Sequence, residues 1–154
     1  MTESKQMASS NRNVIVEICV DSIESARNAE KGGAHRVELC TSLIEGGITP
    51  NFSLIESVCR VLTIPVNVLI RPRGGDFLYS EDEIECMLRD VEICAQLGAK
   101  GIVVGFLTAL GAVDEGLTER FLSKARALKL DFTFHRAFDM ASDPFEGALI
   151  CSDV

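Results

Sequence analysis

The sequence predicts an α/β fold of parallel strands covered by helices, of the (β/α)8 TIM-barrel type, and three observations carry that reading. Short β-branched runs alternate with amphipathic stretches along the chain. The interval from strand to strand is roughly 22 to 36 residues, the length of a βα unit. Polar residues recur where successive strands end: Glu17 and Cys19, Glu38 and Cys40, Arg71, then His135. A barrel collects its strand ends around one pocket, whereas an open doubly wound sheet spreads them along a crest. The doubly wound sheet stays the alternative, although no Gly-x-Gly-x-x-Gly turn follows the first strand. A complete barrel takes about 250 residues and eight units, and 154 residues supply only about five. The expectation is an incomplete barrel, a fragment or shortened form that stops as a fifth helix begins in "SDPFEGALICSDV".

Taken in order, residues 1–12 are polar and are expected to form a disordered N-terminal tail, with a single partial-barrel domain over 13–154. The first strand is "VIVEIC" from Val14, and the helix after it opens on Asp21 with Glu24, a capping-box spacing, and ends at Gly32-Gly33. "RVELC" from Arg36 is the second strand, followed by a helix opened by Ser53 with Glu56. "PVNVLIR" from Pro65 is the third, followed by a helix opened by Ser80 with Glu83 and ended at Gly98. In that helix Ile84, Met87, Leu88, Val91, Cys94 and Ala95 recur at helical spacing. "GIVVGFL" from Gly101 and "FTFHRA" from Phe132 are the fourth and fifth strands. The last helix opens on Asp143 with Glu146, and Pro144 takes the first helical position, where a missing N–H costs nothing.

Composition narrows the function. Hydrophobic residues make up 47% and charged ones 25%, a globular balance. With 15 Lys plus Arg against 23 Asp plus Glu, the net charge of −8 and the lack of a basic run exclude nucleic acid and anionic membranes as partners. The N-terminal stretch lacks the apolar core of a signal peptide, and the longest apolar run is broken by glycines. An intracellular, reducing location is expected, with the six cysteines as free thiols or metal ligands.

The candidate chemistry centres on a repeated tetrapeptide. "VEIC" at Val16–Cys19 and "VELC" at Val37–Cys40 lie in strands, where residues two apart share a face. Glu17, Cys19, Glu38 and Cys40 would therefore face the pocket, while Val16, Ile18, Val37 and Leu39 pack under the helices. Two thiols so placed suit a soft metal, with Cu(I) and Zn(II) the thiolate-loving candidates. Plain core packing stays open as well, since free cysteine is often buried, and neighbouring strands also fall within disulfide range. The third copy, at Val91–Cys94, lies in a helix, so Cys94 is expected to be core packing, and Cys59 and Cys86 with it. In "IRPRGGDFLYS" Arg71 and Arg73 either grip a carboxylate or phosphate together, or Arg71 neutralises Glu17 or Glu38 while Asp76 caps a turn. In "FHRAFDM" His135 faces the pocket with Thr133, as a general acid or base, a metal ligand or a structural residue, while Arg136 falls on the opposite face. His35, at a helix–strand junction, is expected on the surface.

The segments "VEICVDSIESA", "GGAHRVELCTSLIEGGITP", "IPVNVLIRPRGGDFLYS" and "TFHRAFDMASDP", from Val14 to Pro144, strongly resemble the CutC copper homeostasis family, in its animal form. The resemblance implies a (β/α)8 barrel that is a cytoplasmic, and also nuclear, homo-oligomer tied to copper homeostasis and to Cu(I) binding. It implies Cys19 and Cys40 as the metal pair, and Glu17, Glu38, Arg71, His135 and Asp139 as pocket residues and candidates for catalysis. Family members continue through three further βα units, so open sheet edges and self-association are expected here. The alternative function is a barrel enzyme acting on a small anionic metabolite with the Glu/Arg/His pocket.

Overall fold

The computed structural model describes residues 14–153, so the tail expected over residues 1–12 lies outside the described residues. Five strands form one sheet: β1 (Glu17–Val20), β2 (Arg36–Leu39), β3 (Val66–Leu69), β4 (Gly101–Val104) and β5 (Asp131–Phe134). Helices α1 (Ile23–Lys31), α2 (Phe52–Val61), α3 (Glu81–Gln96) and α4 (Glu115–Ala127) connect them, and α5 (Pro144–Asp153) follows β5. All pairings are parallel and the spatial order is β1-β2-β3-β4-β5. A doubly wound sheet reverses its order at a switch point. Unbroken sequential order is the barrel's, and these elements are its first five units. Among the described residues β1 pairs only with β2 and β5 only with β4, which leaves two free edges.

The two faces of the sheet divide as period-two alternation requires. Val37, Leu39, Val68, Ile102 and Val104 are fully buried on the outer face, in one core with Ile55 and Val58 of α2, Met87 and Val91 of α3, and Phe121 of α4. On the inner face Cys40, Leu69 and Val103 form a small separate cluster. β1 keeps the alternation without the cover. Val14, Ile15, Val16 and Ile18 are all exposed, and the strand proper begins at Glu17 rather than Val14.

Helix starts follow the expected caps in part. Ser80 and Glu83 form the capping box of α3, and Pro144 stands at the first position of α5. At α1 the box sits one residue later than expected, between Ser22 and Ser25, because the Ser25 hydroxyl accepts from the Ser22 N–H at 3.1 Å. At α2 Asn51 takes the cap, accepting from Leu54 N–H at 3.0 Å, and Ser53 falls inside the helix. Asparagine directly after Pro50 starts the turn before Ser53 is reached, and it caps at least as well as serine. Asp143 accepts from Phe145 N–H at 2.8 Å at α5, while the Glu146 half of that expected box lies outside the described side chains.

Phe121 joins helix to sheet: it is fully buried, with its ring centroid 4.6 Å from that of Phe106. Phe121→Ala is expected to destabilise the fold by about 3–5 kcal/mol. Urea denaturation should show it as a lowered midpoint at unchanged slope.

Candidate functional site

The carboxyl ends of the five strands surround a cavity of about 270 Å³. Cys19 reaches it from β1, Glu38 and Cys40 from β2 and its end, and Leu69 and Arg71 from β3 and its end. Val103 comes from β4, and Thr133 and His135 from β5 and its end. The loops add Leu43, Gly46, Phe77 and Arg136. The structure thus brings together Cys19, Glu38, Cys40, Arg71 and His135. Two expected pocket residues stand apart from this lining. Glu17 lies one step lower on the inner face, ion-paired with Arg36 and accepting from Asn67 Nδ2 at 3.2 Å. Asp139 is exposed on the 3-10 turn Arg136–Met140.

The thiol wall is acidic. Register sets Cys19 opposite Glu38, and Cys40 N–H donates to Val20 O at 3.0 Å, so Cys40 is diagonal to Cys19. Strand spacing and rise put that diagonal at about 8 Å between Cα atoms, beyond the disulfide range of about 4.4–6.8 Å. The expectation of disulfide reach is therefore not met, and both cysteines are free thiols. Burial pushes the Cys40 thiol up to about 12, and Cys19, Glu38 and Asp21 add to it. Cys19 is raised as well, by burial first and then by the charges of Glu38 and Glu17. Burial and then the Glu17 charge raise the Glu38 carboxyl, while the hydrogen bond with the Cys19 thiol pulls the other way. Both thiols hold their protons at neutral pH.

The side of the cavity that begins at the end of β3 is cationic. Arg71 is 4% exposed and donates to three backbone carbonyls: Glu45 O at 3.1 Å, Gly47 O at 3.0 Å and Gly75 O at 2.7 Å. It pairs with neither Glu17 nor Glu38. Its guanidinium lies 4.7 Å from the Phe77 ring centroid, and that ring stands 5.0 Å from His135. Arg73 is not its partner in a grip, because it is engaged by Glu83 at 2.6 Å and Asp76 at 3.0 Å. The second guanidinium of the cavity is instead Arg136, which strand alternation had assigned to the other face. β5 ends at Phe134 and the 3-10 turn starting at Arg136 breaks the alternation there.

His135 Nδ1 accepts from Ala137 N–H at 3.2 Å. Its pKa is lowered to about 4, by burial first and then by the Arg71 charge. Gly105 makes room for the ring: a Cβ there would stand 2.5 Å from His135 Nδ1. Of the remaining candidates, His35 is exposed and accepts from Val16 N–H at 2.9 Å. Cys94 is fully buried as expected and Cys59 is half-buried, but Cys86 is exposed. Cys86 falls on the solvent face of α3, opposite the Ile84, Met87, Val91 and Cys94 stripe.

The unfolded chain binds a proton at His135 near pH 6.5, whereas the folded chain resists it until about pH 4. Stability contributed by the neutral ring is therefore complete above the unfolded value and is lost as pH falls toward the folded one. The loss is on the order of 3 kcal/mol across that window. Urea denaturation at pH 7 and pH 4.5 should show a smaller acid-induced loss in His135→Gln than in the parent.

The model of the CutC family matches residues 14–149. The mouse protein named copper homeostasis protein cutC homolog is 48% identical over 141 residues, covering 92% of this chain and 51% of its own length. Its human counterpart of the same name is 52% identical over 130 residues, covering 84% of this chain and 47% of its own. The chain thus spans about half the length of the curated relatives it matches. The crystal structure of CutC from Streptococcus agalactiae superposes with a TM-score of 0.82 at 31% identity, over 91% of this chain and 69% of that one. With its sequential parallel strands and the strand-end cavity they enclose, the chain belongs to the CutC family.

Proposed function

We propose that the protein serves copper homeostasis by binding Cu(I) as cargo between the Cys19 and Cys40 thiols. The observation that carries this reading is the convergence of two free thiols from paired strands on one cavity wall. Their diagonal spacing is too long for an S–S bond, while an ion held by metal–sulfur bonds of about 2.3 Å spans twice that bond's length. The chemistry of the donor set fits the ion. Soft thiolates select Cu(I), and a structural Zn(II) site takes four ligands. Among the described residues no three or more His, Cys, Asp or Glu side chains gather as a metal cage. His135 stands on the opposite wall and is not part of the donor set. The names of the mouse and human relatives support the same role.

Glu38 tunes the pair. Its charge is among the causes that hold both thiols protonated, so Cu(I) must displace two protons to bind. Apparent affinity is expected to rise by about 100-fold per pH unit through the neutral range, two protons leaving for each ion. Glu38→Gln should raise affinity at fixed pH and speed alkylation of Cys19, because it removes a charge that disfavours the thiolate. Anaerobic Cu(I) titration of the parent beside Cys19→Ser and Cys40→Ser tests the site: loss of tight binding in either variant is expected. Unchanged affinity in both ends the proposal.

The exposed apolar side chains of Val14, Ile15, Val16 and Ile18 support a homo-oligomer that buries them. Sedimentation velocity should show a concentration-dependent assembly larger than a monomer, and Ile18→Lys should weaken it. Among the described residues no helix is long and apolar enough to cross a membrane. The cytoplasm, and the nucleus with it, is the compartment we propose.

A further inference from the structure

We infer that the cationic wall of the same cavity is a second site, one that binds a small oxyanion, carboxylate or phosphate, between Arg71 and Arg136 beside His135. It uses residues other than the two copper thiols, although Gly47 lies against both Cys40 and Arg71. The first observation is charge without a counter-ion. Arg71 is 4% exposed, yet its three acceptors are backbone carbonyls, and no carboxylate among the described residues pairs with it. A buried charge is expensive unless it is paired. The carboxylate that lines the cavity, Glu38, is engaged with Cys19 on the thiol wall.

The second observation is a space kept open between two cations. Gly46 has φ +83°, and a Cβ on it would stand 3.2 Å from an Arg136 terminal nitrogen and 3.4 Å from one of Arg71. Two like charges thus flank a position that carries no side chain, and no ion pair engages Arg136 among the described residues. An anion in front of Gly46 relieves their repulsion. The terminal nitrogen of Arg136 can donate to it at about 2.7–2.9 Å, while Arg71 Nη1, whose two protons go to Glu45 O and Gly47 O, contributes its charge.

The third observation is a donor left without an acceptor. Because His135 Nδ1 accepts from Ala137 N–H, the proton of the neutral ring is assigned to Nε2. That Nε2 is shielded from water and has no hydrogen-bond partner among the described residues. The Tyr79 hydroxyl is an acceptor within reach of Arg71, so it is the imidazole donor that calls for an acceptor the protein does not supply. The cavity, about 270 Å³, has room for a small anionic metabolite.

The test uses the full chain in a chloride buffer, titrated separately with inorganic phosphate and with malonate. Calorimetry reads binding, and the nitrogen resonances of the His135 ring report on the site. One equivalent of at least one anion is expected to bind and to shift the Nε2 resonance. Phosphate alone assigns a phosphoryl ligand, malonate alone a carboxylate, and both together a ligand recognised by charge. Arg136→Gln removes an exposed head group and leaves the fold in place, and it should weaken binding about tenfold. Cys19→Ser should leave anion binding unchanged, which separates this site from the copper site. No heat and no shift up to about 20 mM of either anion, or affinity undiminished in Arg136→Gln, overturns the assignment.

Discussion

The parallel ladder between β1 and β2 is the constraint on which the site depends. Its register sets Cys19 across from Glu38 and sends Cys40 two residues further along. Outward-facing Val37 and Leu39 are fully buried beneath the helices. A slip of one residue would carry these apolar side chains to the cavity and turn Glu38 and Cys40 into the core. Burial of the outer face therefore fixes which side chains the inner face presents. The same logic runs through β3, where Val68 is buried outward and Leu69 joins Cys40 on the inner side.

The cavity that results is divided by charge. Carboxylate and thiols occupy the wall made by β1 and β2, and guanidinium and imidazole the wall made by β3, β5 and the loops. Each wall biases its own titrations. Negative charge adds to burial in holding Cys19 and Cys40 as thiols, and the Arg71 charge adds to burial in holding His135 neutral. The walls do not cancel each other, because Arg71 is tied by the backbone carbonyls of Glu45, Gly47 and Gly75 rather than drawn to Glu38. Soft cation and small anion are the two ligand classes that such a division suits.

What the sequence disclosed follows from which signals are periodic. Alternation in "VEIC" and "VELC", and the helical stripe of Ile84, Met87, Val91 and Cys94, placed most strand-end residues and the α3 core correctly. Signals that depend on where an element stops were illegible. Arg136 continues the letters of a strand, but the chain has already turned into a 3-10 segment, so it faces the cavity. Arg73 reads as the natural partner of Arg71 in "RPR", yet the carboxylates of Asp76 and Glu83 take it first. Glu17 shares a face with Cys19 as expected, but Arg36, its register partner, holds it below the cavity. Competition between nearby partners decides these cases, and spacing carries no record of it.

The tetrapeptide that recurs three times shows the same division most plainly. At Cys19 and Cys40 an extended backbone carries glutamate and cysteine to one side of the sheet, and the acidic side chain raises the thiol it accompanies. At Cys94 the helix rotates each successive residue by about 100°, so Glu92 turns outward to Lys124 and Arg89 while Cys94 turns into the core. Burial leads the rise of the Cys94 thiol to about 12, the value reached at Cys40. Equal proton affinity therefore does not mark a site. A second thiol nearby does not mark one either, since Cys59 adds to the rise of Cys94 as Cys19 does to that of Cys40. What distinguishes Cys40 is the open cavity in front of it.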